Sequence, residues 1–201
     1  MAKDGQSADW EVLQSEVAYD GYFQLIKYTL RHELFRGGWG QPITREIFER
    51  GSAAAVLPYD PALGCVLLVE QFRPGAMQAG GHPWLTELVA GIIDPGETPE
   101  DVVRREAVEE AGVRLTELLP IHRYFVSPGG STEQMHLFCA RADLSDAGGI
   151  HGLAEEGEDI RVRVLSCGEA FGLLDSGALD NAMTLIALQW FRRHQHELFR
   201  D

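Results

Sequence analysis

Three glutamates at helical spacing carry the clearest chemical signal in this sequence. Glu106, Glu109 and Glu110 fall at positions i, i+3 and i+4, so a helix places their carboxylates on one face. Like charges at this spacing repel one another, and more strongly where the face is partly buried. Mg2+ relieves such repulsion, because it prefers carboxylate and carbonyl oxygens and keeps positions open for water and phosphates. The pattern favours a magnesium site, with a solvated acidic helix face as the alternative for these residues taken alone.

The residues around these glutamates carry the signals of a bounded helix. Thr98 is a candidate N-cap, Pro99 suits the first helical position, and Gly112 is placed to end the helix. Glu100 and Asp101 favour the positive end of the helix dipole. The sequence therefore predicts a helix of about three turns that presents the three carboxylates together.

The wider segment from Gly91 to Val113 resembles the Nudix box. Five residues separate Gly91 from Glu97, and seven more lead to Arg105 and Glu106. The pattern is completed by Ala107, Glu109, Glu110, Gly112 and Val113. Seven specified polar or glycine positions within 23 residues make this a specific motif, unlike an isolated glycine pattern.

The resemblance implies a metal site on the helix. Glu106 and Glu110 would be the principal ligands of Mg2+, and Glu109 would be a further ligand or support one. The loop before the helix would add the backbone carbonyl of Ala90. Two or three ions per site are implied, with Mn2+ as the alternative metal.

The resemblance also implies a catalytic set. Glu97 and Arg105 would pair, because an arginine fork on a carboxylate can fix a loop that presents metal ligands. The acidic loop before the last predicted strand would bring in Glu156 as the general base and Glu158 as another metal ligand. Glu155 is the alternative base, and a surface loop without a function is the alternative for the whole segment.

Other segments resemble the ADP-ribose pyrophosphatases within the family. Pro128 lies fifteen residues after the box, at the place by which that subfamily is usually distinguished. Arg45 and Arg73 match arginines that contact the substrate, and they supply local positive charge in an acidic chain. An aromatic side chain of the N-terminal sheet would stack on the adenine. The residues assigned to substrate binding are Arg45, Arg73, Tyr22, Phe23, Ser127 and Pro128.

The activity implied by this resemblance is Mg2+-dependent hydrolysis of ADP-ribose to AMP and ribose 5-phosphate. A Nudix pyrophosphatase for another nucleoside diphosphate sugar, such as GDP-mannose, would share the box residues and is one alternative. A non-catalytic, nucleotide-sensing module is another, although such modules usually lose box carboxylates that this chain keeps. The subfamily exchanges its N-terminal sheet across a homodimer, so each site would draw residues from both subunits.

For the elements that must position these residues, the resemblance implies an α/β (α+β) fold, a Nudix-type α/β/α sandwich around a mixed sheet. Residues 1–50 alternate apolar and polar groups in short runs, which predicts a small N-terminal antiparallel β-sheet subdomain. Residues 51–201 form the predicted Nudix domain, which opens with a hairpin of Ala53–Leu57 and Cys65–Val69. Further strands are predicted at Trp84–Ala90, Leu118–Phe125, Met135–Ala142 and Ile160–Leu165, and closing helices at Gly168–Asp175 and Asp180–Phe199.

Charge and composition exclude several classes of partner. The 17 basic and 31 acidic residues give a net charge of -14, which disfavours nucleic acid and anionic membranes. The 3 cysteines lie in or beside apolar runs, as buried thiols of a reducing compartment do. No segment approaches the roughly 18 apolar residues of a membrane span. We therefore expect a cytoplasmic protein that binds neither nucleic acid nor a membrane.

Overall fold

The computed structural model describes residues 9–199, which divide into two compact units. The first unit comprises the described residues up to Gly51 together with Phe125–Gln134. The second comprises Ser52–Tyr124 and the described residues from Met135 onward. A segment far along the sequence therefore joins the N-terminal sheet in the first unit.

The first unit contains a three-stranded antiparallel sheet in the order β1-β2-β3. Its strands are β1 (Trp10–Asp20), β2 (Gln24–His32) and β3 (Ile43–Glu49). The predicted N-terminal antiparallel sheet is thus confirmed. No described apolar side chain of this unit is fully buried.

The second unit is built on a mixed sheet with the strand order β10-β11-β5-β4-β9-β8. β6 pairs with β5 and β7 pairs with β4, and the pairing of β4 with β9 is parallel. The strands are β4 (Ala53–Asp60), β5 (Cys65–Phe72), β6 (Trp84–Glu87), β7 (Val89–Ile92), β8 (Leu115–Phe125), β9 (Gln134–Ala142), β10 (Ile150–His151) and β11 (Ile160–Ser166).

Helices cover both faces of this sheet, and alternate residues of β4 accordingly pack in two different hydrophobic clusters. Ala54 packs in the cluster that contains Ala107, whereas Ala55 packs in the cluster that contains Phe191. The predicted α/β/α arrangement is confirmed. The helices are α1 (Pro74–Gln78), α2 (Pro99–Ala111), α3 (Cys167–Ser176) and α4 (Ala182–His194). Among residues 9–199, no helix is long and apolar enough to cross a membrane.

Two predicted elements differ from the structure by more than a few residues at one end. The single strand predicted at Trp84–Ala90 is wrong, because the chain leaves β5 after β6 and pairs with β4 in β7, with Leu88 between the two strands. The last helix is shorter than predicted. It starts after Asn181, whose side chain accepts a hydrogen bond from the Thr184 N–H, and it ends at His194.

Candidate active site

Glu110 is a buried carboxylate on the face of α2 that packs against the sheet. It is 2% exposed, and its Oε2 accepts a hydrogen bond from the Ala90 N–H at 3.0 Å. Its pKa is raised to about 8, mainly by burial and also by the charges of Glu106 and Glu158, while the Ala90 N–H and Arg73 oppose the shift. A buried acid with neighbouring acids is stabilised by a cation, so Glu110 has the environment of a metal ligand.

Glu106 lies directly over the backbone of β7. A Cβ atom built on Gly91 would come within 1.8 Å of Glu106 Oε1, so only glycine lets this carboxylate approach the strand so closely. The side chain of Glu106 is 13% exposed, and burial raises its pKa to about 7. The first glycine of the box is therefore explained by packing against a carboxylate.

Arg105 connects the loop before α2 with the helix. Its Nε and Nη2 donate to the two carboxylate oxygens of Glu97 at 3.1 and 3.2 Å. Its Nη1 donates to Glu106 at 2.8 Å and to Glu109 at 3.0 Å. The hydrogen bond from Arg105 holds the pKa of Glu97 below its usual value. One guanidinium thus orders the loop and neutralises two acids of the helix.

The loop between β10 and β11 is attached to the C-terminal part of α2. The Gly152 N–H donates to the backbone carbonyl of Glu109 at 3.3 Å, and Glu158 Oε2 accepts a hydrogen bond from the Leu153 N–H at 3.1 Å. Glu156 ends a 3-10 turn in this loop and is exposed. The loop therefore holds Glu158 with a backbone hydrogen bond and leaves Glu156 facing solvent.

Arg73 forms an ion pair with Glu87, a buried acid that the sequence analysis did not identify. Its Nε donates to Glu87 Oε2 at 2.8 Å, and Glu87 Oε1 accepts from Asn181 Nδ2 at 2.7 Å. Glu87 is 2% exposed. The signal for it in the sequence is a lone acid in the apolar run around Leu88. This bridge fixes Arg73 relative to the N-terminus of α4.

The predicted adenine-stacking residues differ in their environment. Phe23 is contacted edge-on by Tyr22 and Phe48 at ring-centroid distances of 4.6 and 5.3 Å, and the Arg50 guanidinium lies 5.2 Å from its ring centroid. Tyr22 is 88% exposed. Phe23 thus already packs against other side chains of the first unit. Tyr22 has the more accessible ring for stacking on an adenine.

The remaining predicted substrate residues are also exposed in the first unit. Arg45 lies on β3, where its Nη1 donates to the Thr44 carbonyl at 2.7 Å. Ser127 and Pro128 lie in a turn whose Ser127 carbonyl accepts the Gly130 N–H at 3.1 Å. The structure therefore places the predicted metal ligands and Arg73 in the second unit, and the other substrate residues in the first.

The carboxylates fit a hard cation chemically, although their present contacts are with protein donors. Among residues 9–199, no set of three or more His, Cys, Asp or Glu side chains is arranged to hold a metal ion. Arg105 engages Glu106 and Glu109, and backbone N–H groups engage Glu110 and Glu158. Two acids with raised pKa values beside one another are nonetheless the donors that a magnesium ion prefers.

Known proteins are similar to this chain over nearly its whole length. The model of the NUDIX domain matches residues 49–188. The ADP-ribose pyrophosphatase of Escherichia coli (strain K12) is 46% identical over 190 residues, which cover 94% of this chain and 91% of that protein. The ADP-ribose pyrophosphatase of Haemophilus influenzae is 42% identical over 193 residues, covering 94% and 89%. The GDP-mannose pyrophosphatase of Pectobacterium atrosepticum is 32% identical over 194 residues, covering 93% and 99%.

Proposed function

This chain belongs to the Nudix family, and we propose that it hydrolyses the pyrophosphate bond of ADP-ribose to give AMP and ribose 5-phosphate. The observation that carries the proposal is its 46% identity, over 94% of its length, to a protein named ADP-ribose pyrophosphatase. The buried acids of α2 support a pyrophosphatase, because the cations that they would hold neutralise the negative charge of a diphosphate as it reacts.

Mg2+ is the proposed cofactor, with two or three ions per site and Mn2+ as the alternative. The ligands would be Glu106, Glu109, Glu110 and Glu158 together with the Ala90 carbonyl. The Ala90 N–H donates to Glu110, and the two backbone polar groups of a strand residue face the same edge of the strand. We therefore infer that the Ala90 carbonyl faces the same edge as its N–H. When bound, Mg2+ neutralises phosphate charge and lowers the pKa of a water molecule.

The protein side chains have separate tasks in the proposed reaction. Glu156 accepts the proton of the attacking water, for which its exposed position on a loop attached to α2 is suitable. Arg73 and Arg45 bind the diphosphate, and Arg73 is already oriented by Glu87. Tyr22 stacks on the adenine. Glu97 and Arg105 hold the loop before α2 so that Ala90 and Glu106 keep their positions.

A homodimer is the proposed assembly, in which the N-terminal sheet is exchanged and each site takes residues from both subunits. The first unit supports this, because it has no fully buried apolar side chain among its described residues. A small sheet needs an apolar face covered to be stable. Its exposed large apolar side chains are Trp10, Val12, Leu13, Val17, Tyr19, Tyr22, Phe35, Trp39, Phe48, Phe125 and Val126.

The proposed compartment is the cytoplasm. Cys65, Cys139 and Cys167 are free thiols, as expected in a reducing environment. The net charge of -14 also disfavours binding to nucleic acid or to anionic membranes. The proposed partners are therefore the sugar nucleotide and a second copy of the chain.

GDP-mannose is the second candidate substrate. Proteins named GDP-mannose pyrophosphatase are 32% to 34% identical to this chain over 92% to 93% of its length. This identity is lower than that to the ADP-ribose pyrophosphatases. The carboxylates of α2 are equally compatible with either diphosphate, so the identity favours ADP-ribose.

The proposed reaction is tested by identifying its products. The purified protein is incubated with ADP-ribose and MgCl2, and the products are separated by anion exchange, with an EDTA-treated sample as control. AMP and ribose 5-phosphate in equal amounts, and neither in EDTA, are expected. A lack of cleavage of ADP-ribose and of other nucleoside diphosphate sugars would instead favour a nucleotide-binding module without catalysis.

A further inference from the structure

Gln71, near the end of β5, has a buried side-chain oxygen without a hydrogen-bond partner among the described residues. The residue is 7% exposed, and no protein donor reaches its Oε1. Nearly all buried polar atoms in native proteins have a partner, since an unpaired one has lost its hydrogen bonds to water. An isolated buried acceptor of this kind indicates a donor that comes from outside the chain.

The alternation of β5 places Gln71 on the face of the sheet that α2, the helix of the proposed metal ligands, covers. Val69, two residues earlier on the same face, packs in the hydrophobic cluster that contains Ala107 of α2. Arg73, two residues later, is held by its ion pair with the buried Glu87. Gln71 therefore stands between the apolar core under α2 and the arginine proposed to bind the diphosphate.

The neighbouring strand β11 brings the loop between β10 and β11 close to Gln71. β11 pairs antiparallel with β5, with Arg161 opposite Glu70, so Ile160 lies next to Gln71. Glu158 precedes Ile160 by two residues. Gln71 thus lies on the face of β5 that α2 covers, with Leu85 of β6 opposite it and the point where the loop with Glu158 enters the sheet on its other side.

The chemistry of the surroundings defines the missing donor. Metal-bound carboxylates are ionised and can only accept hydrogen bonds, and so can the phosphates of a diphosphate. Neither can satisfy an amide oxygen. We propose that Gln71 Oε1 accepts a hydrogen bond from an O–H group that enters the site with its ligands, either a water coordinated to Mg2+ or a ribose hydroxyl. The inference rests on the proposed function and adds a residue to its site.

Gln71→Leu separates this role from a purely structural one. Leucine has a similar volume and removes an unpaired buried oxygen, so the melting temperature of the metal-free protein is expected to stay the same or rise. Affinity for the ligand that supplies the O–H group is expected to fall by roughly 3- to 10-fold, as for the loss of one hydrogen bond. A role in packing alone would give the opposite pattern, a lower melting temperature with unchanged affinity.

Two calorimetric titrations distinguish the sources of the donor. MgCl2 alone is titrated into wild-type and Gln71→Leu protein, and ADP-ribose is titrated into both in EDTA, where no turnover occurs. A weaker Mg2+ affinity identifies a coordinated water. An unchanged Mg2+ affinity with weaker ADP-ribose binding identifies a ribose hydroxyl.

Gln189→Leu is the matched control, because it makes the same change at an exposed position of α4. It is expected to leave both affinities unaltered. Unchanged affinities in Gln71→Leu itself overturn the proposal, whatever its melting temperature. If the wild type does not hydrolyse ADP-ribose, the proposed function fails separately; the MgCl2 titration still tests Gln71, and the second titration uses the sugar nucleotide that is hydrolysed.

Discussion

At the scale of single residues, the position of the Glu106 carboxylate depends on the lack of a side chain at Gly91. The spacing of the box identified both residues, but their contact follows from the approach of α2 to β7, which spacing does not contain. The burial of Gln71 and Glu87 could not be predicted either, because it too depends on how the elements pack. Polar residues within apolar strands were the only available signal, and burial depends on the neighbouring elements.

Gly91→Ala is expected to weaken Mg2+ binding by roughly 10- to 100-fold, as the displacement of a group that orients a metal ligand typically does. The added methyl group would lie 1.8 Å from Glu106 Oε1, so the carboxylate must move off the strand. Titration of MgCl2 by calorimetry measures the change. Gly172→Ala, in α3, is the control, because its Cβ would have no heavy atom within 4 Å and its Mg2+ affinity should equal that of the wild type. Equal affinity of Gly91→Ala would contradict the dependence of Mg2+ binding on the present position of the Glu106 carboxylate.

Glu106→Gln and Glu156→Gln are expected to fail differently. Glu106 is nearly buried among other acids, so the Glu106→Gln variant should need a higher Mg2+ concentration for activity. Part of its rate should return as the MgCl2 concentration is raised. Glu156 is exposed on its loop, so the Glu156→Gln variant should bind Mg2+ normally. Its kcat should be lower than that of the wild type by a factor of roughly 10² to 10⁴ at every MgCl2 concentration. Rates measured across a MgCl2 series separate the two. Full turnover by Glu156→Gln, with loss in Glu155→Gln, would assign the base to Glu155.

At the scale of elements, α2 was predictable because its signals are local. Thr98 and Asp101 form a capping box, Pro99 begins the helix, and Gly112 ends it in the left-handed conformation with φ 66°. The break between β6 and β7 was not predictable, because Trp84–Ala90 contains no glycine, proline or other turn residue. Only the divergence of β4 and β5 in the folded sheet makes the chain change partners at Leu88.

Gly112→Ala tests how far the end of α2 controls the loop between β10 and β11, in which the proposed base lies. Alanine at a positive φ costs about 1–2 kcal/mol, and its Cβ would lie 2.8 Å from His151 Cε1 at the start of that loop. The melting temperature should fall by roughly 2–4 °C for each kcal/mol, and kcat should fall as well. His151→Ala in the same chain should recover the part of the loss due to the contact, as scanning calorimetry and rate measurements can show. A double variant no better than Gly112→Ala would exclude the contact as a cause.

At the scale of the whole molecule, the apolar core lies in one unit and a large exposed apolar surface lies in the other. Both hydrophobic clusters of buried residues belong to the second unit. Sequence periodicity predicted the sheet of the first unit, but it could not show that the apolar side of that sheet is uncovered in a single chain. The sheet of an isolated unit without a buried core is marginal, which supports a second copy as its cover.

The chain is therefore expected to be a dimer in solution, with twice the 22.3 kDa mass of one chain. Val17→Lys puts a charge on the exposed face of β1 and should shift the protein toward monomer with loss of activity. Leu63→Lys makes a comparable change at the exposed hairpin turn of the second unit and should leave the dimer intact. Multi-angle light scattering measures the mass of each. An active wild-type monomer would rule out the exchanged sheet.

The most direct test of the account is a competition between ADP-ribose and GDP-mannose at equal concentrations with MgCl2, in which the ratio of initial product rates gives the ratio of kcat/KM. The account predicts that AMP forms faster than GMP by about tenfold or more, a discrimination typical of a site shaped for one substrate. A ratio near one, or faster release of GMP, would contradict the assignment of ADP-ribose as the substrate.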